Sequence, residues 1–182
     1  GGVDNGMIET RNSTGGILAQ ISAGPNGGSV ETQNGRGQTL VKLTSTVVGQ
    51  GVVETMNGKG GIIVKIGAST DGQGSVVTEN GEGRTLVELG VTTDGKGMVT
   101  TQNGKGQTLV ELGVTTEGEG FVETQNGKGR TLVELGSTAG GNGSVITQNG
   151  KGQKLVELGI DTNGGYVKTA NANGQVNAFV GS

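Results

Sequence analysis

Four glutamates, Glu88, Glu111, Glu134 and Glu157, recur at intervals of 23 residues and are the side chains best supplied for chemistry in this chain. Paired carboxylates cleave glycosidic bonds, one acting as acid and the other as base or nucleophile. Such a site needs a local break in a repeat, where unlike groups converge, whereas these four are one position written four times. They read as a solvated charged ladder. With no His and no Cys, Ser-His, Cys-His and His-ligated metal sites are excluded. The chain is expected not to be an enzyme and to carry no cofactor.

Two further motifs invite a ligand. Gly104-Lys105-Gly106-Gln107-Thr108 has part of a phosphate-binding loop, but it lacks the full G-x-x-x-x-G-K-[ST] spacing and leads into a β segment. It reads as a turn. Calcium is the stronger rival, because glycine-rich repeats hold it through Asp and backbone carbonyls. The G-G-x-G-x-D-x-U-x motif is absent, however, and Asp71 and Asp94 have no counterpart in most other repeats. A calcium-binding β-roll therefore stands as an alternative, with no metal expected. Asn12-Ser13-Thr14 and Asn142-Gly143-Ser144 match the N-glycosylation acceptor at about the rate chance gives. The threonine pairs Thr92-Thr93 and Thr115-Thr116 fall in a turn, and the series fails at Thr138-Ala139, so no flat ice-binding array is expected.

The elements that must position these residues follow from composition. Among 182 residues there are 41 Gly, one Pro, two Phe, one Tyr and no Trp, a poor supply for a globular core. Gly without a G-X-Y period excludes collagen, and regular Val, Thr and Leu placement argues against a flexible linker. Ordered β-structure remains. Thirteen basic residues against 16 acidic leave no surplus to neutralise phosphates, so nucleic acid is not expected as a partner. No apolar run approaches the roughly 20 residues that span a bilayer as a helix, and no membrane insertion is expected. A start at Gly1 instead of Met reads as a processed product or a piece of a longer chain.

The chain is one unit repeated. Copies begin at Gly6, Gly28, Gly51, Gly74, Gly97, Gly120, Gly143 and Gly165, 22 residues apart at the two ends and 23 between, so residues 1–182 read as a single repeat array. Each copy holds two period-2 segments, strand A and strand B, separated by glycine-rich turns. In strand A, Val30, Val53, Val76, Val99, Val122 and Val145 form one column. Thr78 and Thr101 belong to a second, and Asn80, Asn103, Asn126 and Asn149 to a third. These constant positions are expected to point inward as core ladders, while Ser29, Met98, Phe121 and Tyr166 mark a variable outward column. Strand B supplies Val41, Val64, Val87 and Val110 with Leu43, Ile66, Leu89 and Leu112 as the opposite wall of a thin core.

Two architectures satisfy this pattern. The favoured one is an all-β repeat solenoid with two short strands per 22–23-residue coil. The alternative is a trimeric antiparallel β-fibre built of hairpin repeats. Asn-Gly between alternating segments is a strong hairpin signal. The Asn column favours coils, because stacked identical amides at strand spacing can pair with each other. The glutamate column opposes them, since like charges about 4.8 Å apart repel by about 0.9 kcal/mol at the dielectric of water. In every unit the turn after strand A keeps its second glycine, Gly106 in the fifth copy, which predicts a backbone conformation that only Gly adopts without strain.

The repeat G-x-V-x-T-x-N-G-x-G-x-T-L-V-E-L-G resembles the glycine-punctuated β-repeats of bacterial extracellular and surface fibre proteins and of phage tail-fibre shafts. The likeness runs from Gly6 to Gly181 and brings no catalytic or ligand residue with it. It implies an elongated β-structure, extracellular or on the cell surface, or alternatively on a virion, that assembles with copies of itself as a trimer or filament.

The functional expectation rests on one column. Leu18, Leu40, Ile63, Leu86, Leu109, Leu132 and Leu155 lie on the outward parity and would form an exposed apolar assembly stripe that ends at Asn177. Residues 1–6 carry no bulky polar cap, which suits growth at a strand edge. The expected function is a structural subunit of an extracellular self-assembling β-filament. The alternative is the shaft of a tail fibre or adhesin whose binding tip lies elsewhere.

Overall fold

The computed structural model describes residues 6–24, 27–69, 71–138 and 140–181. Pro25, Ala139 and residues 1–5, on which the expectation of an edge without a polar cap falls, lie outside them. The chain forms two compact units, Gly1–Gly95 and Lys96–Ser182. The first holds β1 (Met7–Arg11), β2 (Ile17–Gly24), β3 (Gly27–Gln33), β4 (Thr39–Ser45), β5 (Gly51–Met56), β6 (Ile62–Ala68), β7 (Gly74–Glu79) and β8 (Thr85–Val91). The second holds β9 (Gly97–Gln102), β10 (Thr108–Val114), β11 (Gly120–Gln125), β12 (Thr131–Ser137), β13 (Gly143–Gln148), β14 (Lys154–Asp161), β15 (Gly164–Ala170) and β16 (Val176–Gly181).

The fold is all-β, with two short strands per repeat, as the alternation of β-branched and polar residues dictates. Within each unit every strand pairs antiparallel with its neighbours in the chain. In the first unit Val30 faces Leu43 and Thr32 faces Val41, and on the far side of β4 Val41 faces Thr55 and Leu43 faces Val53. In the second unit Leu112 faces Val122 and Leu135 faces Val145. The arrangement is thus the hairpin one and not a stack of parallel coils. Strands A and B are adjacent strands of one sheet, so their Val, Thr and Leu columns share a face instead of confronting each other across a core. Among the described residues only Val52 and Thr100 are buried, at 5% and 7% exposure.

The reason lies in the turns. Asn103 accepts the Gly106 N–H at 2.9 Å through its carbonyl and donates its own N–H to the Gln107 carbonyl at 2.9 Å. Gly106 adopts φ +79°, the left-handed region in which a Cβ is strained. This is a three-residue hairpin loop, a type I turn closed by a left-handed glycine. The same bonds recur in all eight Asn turns, at Asn12, Asn34, Asn57, Asn80, Asn103, Asn126, Asn149 and Asn171. The Asn side chain finishes the turn. Asn103 Oδ1 accepts the N–H groups of Lys105 at 2.9 Å and Gln107 at 3.2 Å, and Nδ2 donates to Gln107 Oε1 at 2.8 Å. An amide satisfied inside its own loop needs no identical neighbour above or below, which removes the ground for parallel stacking.

The turns at the other edge are built alike, with Thr or Ser in place of Asn. Thr46, Ser69, Thr115 and Thr138 each accept an N–H from a glycine three residues on and donate to a carbonyl four residues on. Thr115 Oγ1 also accepts the Glu119 N–H at 3.2 Å, the role Asn Oδ1 plays opposite.

Candidate interaction surfaces

Each Asn hairpin carries a register shift beside the loop. In β4, Val41 faces Thr32 and Thr39 faces Gln33, which leaves Leu40 without a partner across the ladder. The same shift strands Leu18, Ile63, Leu86, Leu109, Leu132 and Leu155, and at the last hairpin Asn177. The leucine column is therefore the bulge position of the fold, the extra residue that bends the strand and raises its twist. The column read as an exposed stripe is mostly half-buried: Leu40, Leu86, Leu109, Leu132 and Leu155 are partly covered, while Leu18 and Ile63 are exposed at 38% each. The Leu partners of the supposed core ladders are more open, with Leu89 at 46%, Leu112 at 42% and Leu135 at 43%.

Alternation gives each unit two unlike faces. One carries the Val ladder positions, Val30, Val53 and Val76 in the first unit and Val99, Val122 and Val145 in the second. The Thr positions, including Thr78 and Thr101, lie beside the strand B valines on that face. The Asn positions sit outside it, at the loops. The other face carries the charges. In the first unit they alternate in sign across strands, Glu31, Lys42, Glu54, Lys65, with Lys42 Nζ 3.2 Å from Glu31 Oε1.

In the second unit the alternation breaks. Glu111 faces Glu123, and Glu123 faces Glu134. The glutamates of successive repeats are not neighbours, since a strand A residue stands between them, and here that residue is a third glutamate. Glu123 Oε1 takes hydrogen bonds from Thr131 Oγ1 at 2.7 Å and Gln125 Nε2 at 2.8 Å, partial compensation for the crowding. Glu157, by contrast, has Lys154 at 3.2 Å and Lys168 at 3.9 Å.

Sequence reasoning passed over one pairing on the charged face. The glycine that follows the last Leu or Ile of strand B stands opposite the variable strand A column: Gly67 opposite Val52, Gly113 opposite Phe121, Gly159 opposite Tyr166. A Cβ on Gly113 would lie 2.9 Å from two Phe121 ring carbons, and one on Gly159 2.8 Å from the Tyr166 hydroxyl. Large side chains lie over bare backbone, the device that shields a glycine in a strand. Tyr166 also stacks on Phe179 with ring centroids 5.8 Å apart. Partial burial, and then the nearby Glu157 carboxylate, push the Tyr166 phenol pKa up. The signal was present as a Gly recurring at a fixed place beside the column that holds Met98, Phe121 and Tyr166.

The remaining motifs fall in turns. In Gly104–Thr108 the N–H groups of Lys105, Gly106 and Gln107 are all taken by Asn103, so this loop does not offer them to a phosphate. Asp94 accepts the Thr92 hydroxyl at 2.5 Å. Among the described residues no three His, Cys, Asp or Glu side chains gather where they could hold a metal ion, and no helix is long and apolar enough to cross a membrane. Asn12 Oδ1 is engaged by its own turn, accepting from the Thr14 N–H, the Thr14 hydroxyl and the Gly16 N–H. In the second unit an open apolar concavity of about 810 Å³ is lined by Leu135, Val145, Leu158, Tyr166, Val167 and Val180.

No protein-family model and no curated protein sequence matches the chain. Among solved structures, the wild-type TCP10 domain of Danio rerio CPAP aligns over 99% of this chain and 98% of its own, at 13% identity and a TM-score of 0.37.

Proposed function

We propose that this chain is a structural segment of an extracellular, self-associating β-fibre. The observation that carries the reading is a uniform lattice of hairpins whose apolar side chains lack a covering layer: Leu43, Ile66, Leu89, Leu112, Leu135 and Leu158 each keep 40% or more of their surface exposed. A contiguous exposed apolar surface of this kind marks an association site. Neighbouring turns add a second support, since loops of one backbone geometry repeat along each unit at a fixed interval.

The test is sedimentation velocity over a hundredfold concentration range, with negative-stain microscopy of the same samples. Concentration-dependent growth beyond the monomer supports the reading. A single monomeric species throughout removes it. A shaft with its binding tip elsewhere in a longer chain is the second reading, favoured by the regularity of the loops, and a non-repetitive domain encoded next to this segment would select it.

A further inference from the structure

We propose that the Val/Leu/Thr face of the second unit is where a second copy docks, sheet against sheet. The inference rests on the self-associating reading and names the surface that reading leaves open. By strand alternation the strands present Val99, Leu112, Val122, Leu135, Val145 and Leu158 on this face, flanked by threonines and with no charged ladder residue, and at its loop edge the Glu119 carboxylate accepts the Ser137 hydroxyl. Leu112, Leu135 and Leu158 are 42%, 43% and 40% exposed, and Val180 on the last strand is 71% exposed.

Three arguments single out a copy of this chain as the occupant. The first is area. Seven strand spacings of about 4.8 Å by five residues of about 3.3 Å give a footprint of roughly 550 Å² per copy. Two copies bury roughly 1,100 Å² by that measure, above the roughly 1,000 Å² a specific interface needs. The second is charge. A face whose ladder positions carry no ionised group meets its own copy with only the edge carboxylate of Glu119 nearby, already held by Ser137, whereas pairing through the opposite face would trap Glu111, Glu123 and Glu134 of both copies in one gap. The third is relief. The Leu and Val rows of this face recur every two strands, and a surface with the same repeat can seat against them along its whole length. Pairing therefore yields a two-layer sandwich that leaves both acidic faces in water.

The experiment compares two triple variants with the wild-type chain by sedimentation equilibrium. Leu112→Lys, Leu135→Lys and Leu158→Lys together place charge on the proposed face, and Leu109→Lys, Leu132→Lys and Leu155→Lys place it at the bulge column of the other face. The expected result is at least a ~100-fold weaker association for the first set and a change below ~3-fold for the second. Association of the first set at wild-type strength, or its loss only in the second set, overturns the proposal while leaving self-association standing. A wild-type chain that stays monomeric overturns both.

A second readout does not depend on how well the lysine variants fold. The chain has no cysteine of its own, so Val122→Cys and Glu134→Cys each give one thiol, on opposite faces. Alkylation of Cys at 122 is expected to slow at least ~10-fold as concentration rises through the association range, with position 134 unchanged. Equal rates at 122 in dilute and concentrated samples overturn the proposal.

Discussion

Phe121 stands directly opposite Gly113 on the neighbouring strand, so close that a Cβ on the glycine would lie 2.9 Å from two carbons of the ring. Its other flank meets Gly136, where an added Cβ would lie 3.5 Å from the Phe121 Cβ. The ring covers the bare backbone of Gly113, while only the Phe121 Cβ lies beside Gly136. Gly113→Val is expected to destabilise the chain by about 1–3 kcal/mol through overpacking. Pairing it with Phe121→Ala should recover part of that loss, read as a coupling in a thermal or denaturant double-mutant cycle. Purely additive losses would mean the contact carries no energy.

Gly129 and Gly127 lie in one turn but obey different constraints. Gly129 has φ +71° with nothing near its missing Cβ, whereas Gly127 lacks a positive φ and has ordinary contacts. Gly129→Ala is expected to cost about 1–2 kcal/mol from conformation alone. Gly127→Ala should fall within about 0.5 kcal/mol of wild type. Denaturant midpoints of the two variants measure the difference.

Asn103 does two jobs in its loop, accepting two backbone N–H groups and donating to Gln107. Asn103→Ala is expected to cost about 1 kcal/mol. Asn103→Asp, which keeps the acceptor, should cost less at neutral pH. Faster amide exchange at Lys105 and Gln107 in the Ala variant only is the local signature to measure.

Glu134 faces Glu123 where the first unit has Lys42 facing Glu31 at 3.2 Å. Glu134→Lys converts a like-charge pair into an opposite-charge pair and is expected to raise stability by about 0.5 kcal/mol. The gain should shrink in high salt, because exposed charges are screened. Unfolding curves at low and high ionic strength provide the check.

Glu117 titrates below the ordinary carboxylate value, chiefly because the Thr116 hydroxyl donates to its Oε1 at 2.7 Å. Backbone and Thr115 hydrogen bonds add to the effect. A carboxylate depressed in the folded state contributes stability above its unfolded pKa, and that contribution is lost as pH falls through the folded value. Thr116→Val is expected to move the Glu117 pKa upward, measured by NMR titration of its side-chain carbons. An unmoved titration would assign the shift to the backbone and Thr115 hydrogen bonds.

The chain itself determined a good deal. Val, Thr and Leu alternating between glycine-rich loops make short strands, and similar copies of 22 or 23 residues make similar pairs of them. The left-handed glycine after each Asn was also legible, because a residue that never varies there points to a φ other side chains avoid.

What the chain left open was which strands lie beside which, and therefore what counts as inside. The Asn column fits stacked amides or self-sufficient loops equally well, and only the bond from Asn103 Oδ1 back to its own Lys105 and Gln107 decides between them. Once the strands turn back on themselves, Val122 and Leu112 become neighbours on one face and Glu123 falls between Glu111 and Glu134. The bulge that strands Leu109 is likewise invisible in a period-2 pattern, since one extra residue changes the ladder partner without changing the residue types. Spacing along a chain fixes parity. Parity becomes a face, and a face becomes a surface for another molecule, only when tertiary pairing supplies the neighbours.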